Sequence, residues 1–181
     1  MSKQGELLVA LADHVLEQGL GEMSLRPLAS SVGSTARMLI YHFNSKEELL
    51  KRLLVELRRR QTDVLARWSE PAGADFPALF WSWISTRRME NHARLWIDLH
   101  TLRFSAASTG AEVRGLLADW NEVVEKALMA AGWSRQRSRL SATLLLATLR
   151  GLLMDLHLTG DRARVNAAAH EFALRWKAGE R

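Results

Sequence analysis

Residues 24–49, SLRPLASSVGSTARMLIYHFNSKEEL, restrict the fold of this 181-residue chain more than any other segment. They read as two short helices joined by a tight turn. Ser24 offers a hydroxyl to the free backbone N–H groups of a helix start, and Pro27 falls in the first turn, where a missing N–H costs nothing. Leu25, Leu28, Ala29 and Val32 recur at helical spacing, and Gly33 tolerates the positive φ that lets the chain turn and restart at Ser34 or Thr35. A second helix of about two turns follows, which is the sequence shape of a helix-turn-helix that reads DNA.

The flanks extend this pattern. An opening helix from about Gly5 to Gln18 carries Leu7, Leu8, Leu11, Ala12 and Val15 on one stripe and is ended by Gly19 and Gly21. Ser45 with Glu48 three residues later forms a capping box, so a long helix starts at Lys46 and runs to about Trp68. At about 1.5 Å per residue it spans more than about 30 Å and can couple two domains.

From about Glu6 to about Leu54, these residues (LLVALADHVLEQGLGEMSL, the LASSVG turn, RMLIYHF, then SKEELL) resemble the TetR family of bacterial transcriptional regulators. Beyond about residue 67 the resemblance is one of architecture. It implies an all-α fold: a helix-turn-helix domain over 1–67, including the start of a long connecting helix, and a C-terminal helical domain over 68–181 for ligand binding and dimerisation. It also implies a homodimeric repressor on a roughly palindromic operator, released when a small-molecule effector shifts the 46–68 helix and moves the two heads off successive major grooves. Many members carry Tyr directly after the residue matching Leu39; here Ile40 stands there and Tyr41 follows, so either position can hold the DNA-facing place.

Candidate DNA contacts follow from position along the second helix. Ser34, Thr35, Ala36 and Arg37 lie at its N-terminal end, where side chains reach base edges, and the fork of Arg37 matches guanine O6 and N7. Tyr41 and His42 lie at the far end beside phosphates. Lys46, with the exposed N–H groups of the next helix, serves the same phosphate row, and Ser24 with Arg26 does so one helix earlier. Phe43 reads as core, and His42 fits a core or a phosphate role equally. The charge balance gives these assignments little help, since residues 1–67 hold ten basic against eight acidic side chains, although the whole chain is +5. Local placement carries the argument.

The C-terminal part reads as helices near 76–91, 94–106, 111–131, 134–159 and 161–178, broken at Pro77, Gly110, Gly132 and Thr159–Asp161. No alternating strand pattern competes with them. The segment LSATLLLATLRGLLMDLHL is apolar around most of its circumference and must be covered on two sides, while Ala147, Gly151 and the alanines at 167–169 allow close approach. Residues 139–178 therefore read as a dimer interface of two helices per subunit, with the central helix of a monomer as the alternative. All seven tryptophans lie beyond residue 67, and Trp81, Trp96, His100, Arg103 and Trp120 are candidates to line an effector pocket, against the commoner use of such residues as core.

Zero cysteines excludes disulfides and thiolate metal sites. The six histidines lack ligand spacing, and no GxSxG, Walker, GxGxxG or HExxH motif occurs, so neither metal, cofactor nor enzymatic activity is expected. MSKQGELL lacks the apolar stretch of a signal peptide, and Ser141, Arg150, Asp155 and His157 interrupt the apolar segment, so a cytoplasmic protein without a membrane partner is expected. A ligand-independent architectural or partner-binding DNA-binding protein of the same fold is the rival reading.

Overall fold

The first helix, α1 (Lys3–Gln18), begins two residues before the expected Gly5, because the Ser2 hydroxyl accepts the Gly5 N–H at 3.2 Å and fixes the first turn. It ends at Gly19 with φ 82°. The computed structural model describes residues 2–19, 24–65, 75–86, 89 and 110–179. The expected helix at 94–106, Trp96, His100, Arg103 and the expected end at Trp68 of the long helix from Lys46 lie outside the described residues.

Three more helices follow: α2 (Leu25–Ser31), α3 (Ala36–Phe43) and α4 (Lys46–Leu65). Gly33, with φ +63°, makes the turn between α2 and α3, and Thr35 rather than Ser34 caps α3 by accepting the Met38 N–H at 3.2 Å. Two capping expectations are corrected. Ser24 occupies the N-cap position of α2, yet its hydroxyl makes no capping hydrogen bond. Ser45 does accept the Glu48 N–H at 3.0 Å, but the Glu48 carboxylate turns to Arg52 at 2.7 Å instead of closing the box. A charged partner outcompetes a neutral backbone donor.

Leu7, Leu11 and Val15 of α1, Leu28 of α2, Leu39 and Phe43 of α3, and Leu49, Leu53, Leu54 and Leu57 of α4 form one buried core. Each such side chain contributes about 1.5–3 kcal/mol on burial. A polar brace ties α4 to α1 outside that core: Arg60 pairs with Asp13 at 2.6 Å, donates to the Val9 carbonyl at 3.1 Å and is held by Glu56 at 2.9 Å. Glu56 also holds Arg59 at 2.9 Å. Hydrogen bonds from Arg59, and then from Arg60, outweigh the desolvation of the Glu56 carboxyl and lower its pKa to about 2. A carboxyl with a depressed native pKa adds stability above its unfolded value, and that contribution fades as pH falls. The urea midpoint of Glu56→Gln should therefore lie below wild type at pH 7, with the gap closing between pH 4.5 and about 2. A gap that persists unchanged at the acid end would show that the charge of Glu56 is irrelevant.

The second set comprises α5 (Phe76–Ile84), α6 (Gly110–Ala130), α7 (Arg135–Thr159) and α8 (Arg162–Gly179). The chain divides into two compact units: α1 to α4 as far as Val64 with α6 as far as Leu117, and the rest of α6 with α5, α7 and α8. The helix expected over 76–91 stops at Ile84. The Thr86 hydroxyl takes the Trp83 carbonyl at 2.9 Å, and Arg162 takes the Ser85 carbonyl at 3.1 Å, so carbonyls that would continue the helix are already engaged. Gly132 (φ +91°) and Gly160 (φ +68°) make the expected breaks. Arg164 grips Asp155 with two bonds of 2.7 and 2.8 Å and closes the α7–α8 corner.

α7 buries Ala142, Leu145, Leu146, Leu149 and Leu156 on one side. On the other, Leu140, Leu144, Ala147, Gly151, Met154 and Leu158 are exposed, at intervals of four, three, four, three and four residues. That is a heptad stripe along one face. Among the described residues α7 is the helix long and apolar enough to cross a membrane by length and composition, despite the polar interruptions at 141, 150, 155 and 157.

Candidate DNA interface

Leu39 and Phe43 of α3 are fully buried, and their spacing of four fixes which side of the helix faces inward. The other side is thereby forced outward. Arg37 is exposed, Met38 is 42% exposed and Tyr41 is 75% exposed. Ile40, the alternative to Tyr41, is half-buried. Thr35 is exposed at the helix start, Ser34 and Ala36 are half-buried, and the Ser34 N–H is spent on the Ala29 carbonyl at 2.8 Å. Ser24 and Arg26 are exposed at the start of α2. Lys46 is half-buried at the first position of α4. Among the described residues none of Arg26, Arg37 and Lys46 has an ion-pair partner, so their charge is available to an anion.

Met38 was not among the sequence candidates. Its signal was the Leu39–Phe43 spacing, which leaves position 38 on the outer side, where a thioether can meet a thymine methyl. His42 is half-buried with its ring edge against Tyr41, centroids 5.2 Å apart. The end of α3 is tightly closed. Asn44 adopts φ 68° and gives its N–H to the Ile40 carbonyl at 2.7 Å, and the Ser45 N–H takes the Phe43 carbonyl at 2.8 Å. The His42 carbonyl accepts from the Gln4 side chain of α1, whose Oε1 accepts from Arg52 at 3.1 Å. Spacing within α3 gave no sign of this link, because its partners lie 38 and 48 residues apart.

The expected effector residues divide. Trp81 is buried and donates its indole N–H to Asn166 at 3.0 Å. It lines an open groove of about 410 Å³ with Ala78, Ser82, Ser85, Asn166 and His170. Trp120 instead packs against Phe80 at 5.8 Å and Trp83 at 5.9 Å, inside an aromatic cluster. The two tryptophans therefore have different neighbours, and among the described residues no group of His, Asp and Glu could hold a metal ion.

Residues 7–53 match the family model for bacterial regulatory proteins of the tetR family. No curated protein matches the chain by sequence. Solved structures share its fold along nearly the whole length. A transcriptional regulator from Rhodococcus sp. Rha1 is 20% identical with a TM-score of 0.77, covering 98% of this chain and 97% of its own. A TetR transcriptional regulator from Legionella pneumophila is 18% identical with a TM-score of 0.71, covering 97% of each. The transcriptional regulator FadR from Bacillus subtilis, solved in complex with stearoyl-CoA, is 15% identical with a TM-score of 0.62, covering 98% and 99%. The outward face of α3 is thus borne on a domain that matches the tetR family model over residues 7–53, within a chain that shares the fold of solved TetR regulators.

Proposed function

We propose that the protein is a cytoplasmic homodimeric repressor that holds a roughly palindromic operator through two copies of α2–α3 and releases it on binding a small molecule. The observation that carries this reading is the outer face of α3, where Arg37 and Tyr41 stand exposed on a helix pinned from behind by Leu39 and Phe43. Arg37 reads bases, assisted by Ser34, Thr35 and Ala36. Ser24, Arg26, Tyr41, His42 and Lys46 hold phosphates. Two heads need a dimer, and the exposed stripe of α7 supports one, because six small or apolar residues in heptad register suit a second copy of the same helix. In this reading residues 1–67 are the DNA-binding domain, and 68–181 bind the ligand and dimerise through 139–178.

Release requires a signal to reach α4. Gly115 of α6 lies against Arg58 of α4 so closely that a Cβ there would fall 2.5 Å from Nη1, which supports α6 as the element that displaces α4. The groove beside Trp81, and FadR's capture of stearoyl-CoA in a similar fold, support an effector. The packing of Trp120 into the Phe80–Trp83 cluster favours the rival, a regulator of the same fold without an effector. Selection of bound duplexes from a random pool tests the central claim. The expected winner is an inverted repeat with half-sites one helical turn, about 34 Å, or a multiple of that apart. Recovery of a single unrepeated site, or of no sequence preference, would sink it.

A further inference from the structure

We propose that Gln4 of α1 is a positioning residue for operator recognition, holding the C-terminal end of α3 at a fixed angle to α1 and α4; this rests on the reading of α3 as the recognition helix. The last carbonyls of a helix have no partner within it and must find one elsewhere. α3 has eight residues, so its final turn is a large share of its length. The Ile40 and Phe43 carbonyls are met by the backbone N–H groups of Asn44 and Ser45, while the His42 carbonyl is met by Gln4 Nε2. An amide side chain donates and accepts at once. Gln4 uses both ends, since Oε1 accepts from Arg52 of α4, and Arg52 is itself fixed by Glu48. One side chain thus ties together three helices at the point where Tyr41 and His42 leave α3.

The fold does not depend on this link. Leu39 and Phe43 already anchor α3 in the core, and Gln4 lies half-buried at the rim. Its contribution is angular: α3 can pivot about Leu39 and Phe43 unless its end is tied. A pivot would misalign Arg37 and Tyr41 against a groove while leaving the charged phosphate contacts of Arg26 on α2 and Lys46 on α4 in place.

The test uses full-length Gln4→Met, Gln4→Glu and Arg37→Ala, titrated at several salt concentrations onto the selected operator and onto an unrelated duplex. Backbone hydrogen exchange over residues 40–44 is followed in parallel. Gln4→Met is expected to speed exchange there and to lower the ratio of specific to unrelated affinity about fivefold per head, as expected for one neutral hydrogen bond, with the salt slope unchanged. Gln4→Glu keeps an acceptor for Arg52 and loses the donor to His42, so it should show the same lowered ratio. Wild-type exchange and wild-type ratio in Gln4→Met would overturn the proposal. So would a wild-type ratio in Gln4→Glu, which leaves the Arg52 pairing as the whole role, or a shallower salt slope, which makes Gln4 a phosphate contact. Unaltered sequence preference in Arg37→Ala would count against the recognition role of α3, whereas the exchange data judge the Gln4 link separately.

Discussion

Replacing Arg37 with alanine is expected to weaken operator binding by about 10- to 100-fold per half-site and to relax the preference at one base pair. The scale follows from the about 1–3 kcal/mol of discrimination that a good bidentate pair supplies. Because Arg37 is exposed and has no ion-pair partner among the described residues, the change leaves the isolated protein intact, and thermal unfolding should not move. Arg37→Lys should recover little, since an ammonium lacks the planar fork that matches two acceptors on one base. Lys46→Ala gives the contrasting pattern: a similar loss on every sequence, with a salt slope shallower by about one. Equal affinity and equal sequence preference for Arg37→Ala and wild type would remove Arg37 from the base-reading role.

An effect of comparable size is expected from Leu144→Glu on the outer stripe of α7. Leu144 is 64% exposed in the single chain, so a glutamate there is tolerated until two copies meet. The proposed dimer would then lose two apolar burials of about 1.5–3 kcal/mol and have to bury or repel two charges, a change of at least about a thousandfold in its dissociation. Gly151→Leu isolates the interface still more cleanly. A Cβ at Gly151 meets nothing within 4 Å in the protomer, and removing a mid-helix glycine strengthens α7 by about 1 kcal/mol. Sedimentation equilibrium should show both variants as monomers at concentrations where wild type is dimeric, and operator binding should fall with dimerisation. If both sediment like wild type, the stripe is not the interface.

What the amino-acid order disclosed was chiefly local. Gly33, Gly132 and Gly160 announced turns because few other residues accept positive φ, and each turn is found where it was expected. The core of α1 to α4 was legible for the same reason, since leucines at helical spacing leave one burial solution. Competition between partners was not legible. Ser45 and Glu48 make a well-formed box on paper, and only the nearness of Arg52 decides that the carboxylate goes elsewhere. The truncation of α5 at Ile84 depends on Arg162, 77 residues on from the carbonyl it takes. At the site, the outward set Arg37, Met38 and Tyr41 follows from Leu39 and Phe43, whereas Gln4 is found through a tertiary contact that no motif encodes.

The placement of the aromatic side chains also makes the molecule its own optical instrument. Tyr41, the single tyrosine of the chain, stands on the outer face of α3, while every tryptophan lies beyond residue 67. Indole emission therefore arises from residues beyond 67 and from none of α1 to α3. Nitration of the lone phenol, in contrast, places a dye on α3. Titrating DNA against one signal and small molecules against the other would read the two ends of the proposed switch in one sample, without an introduced label in the C-terminal part.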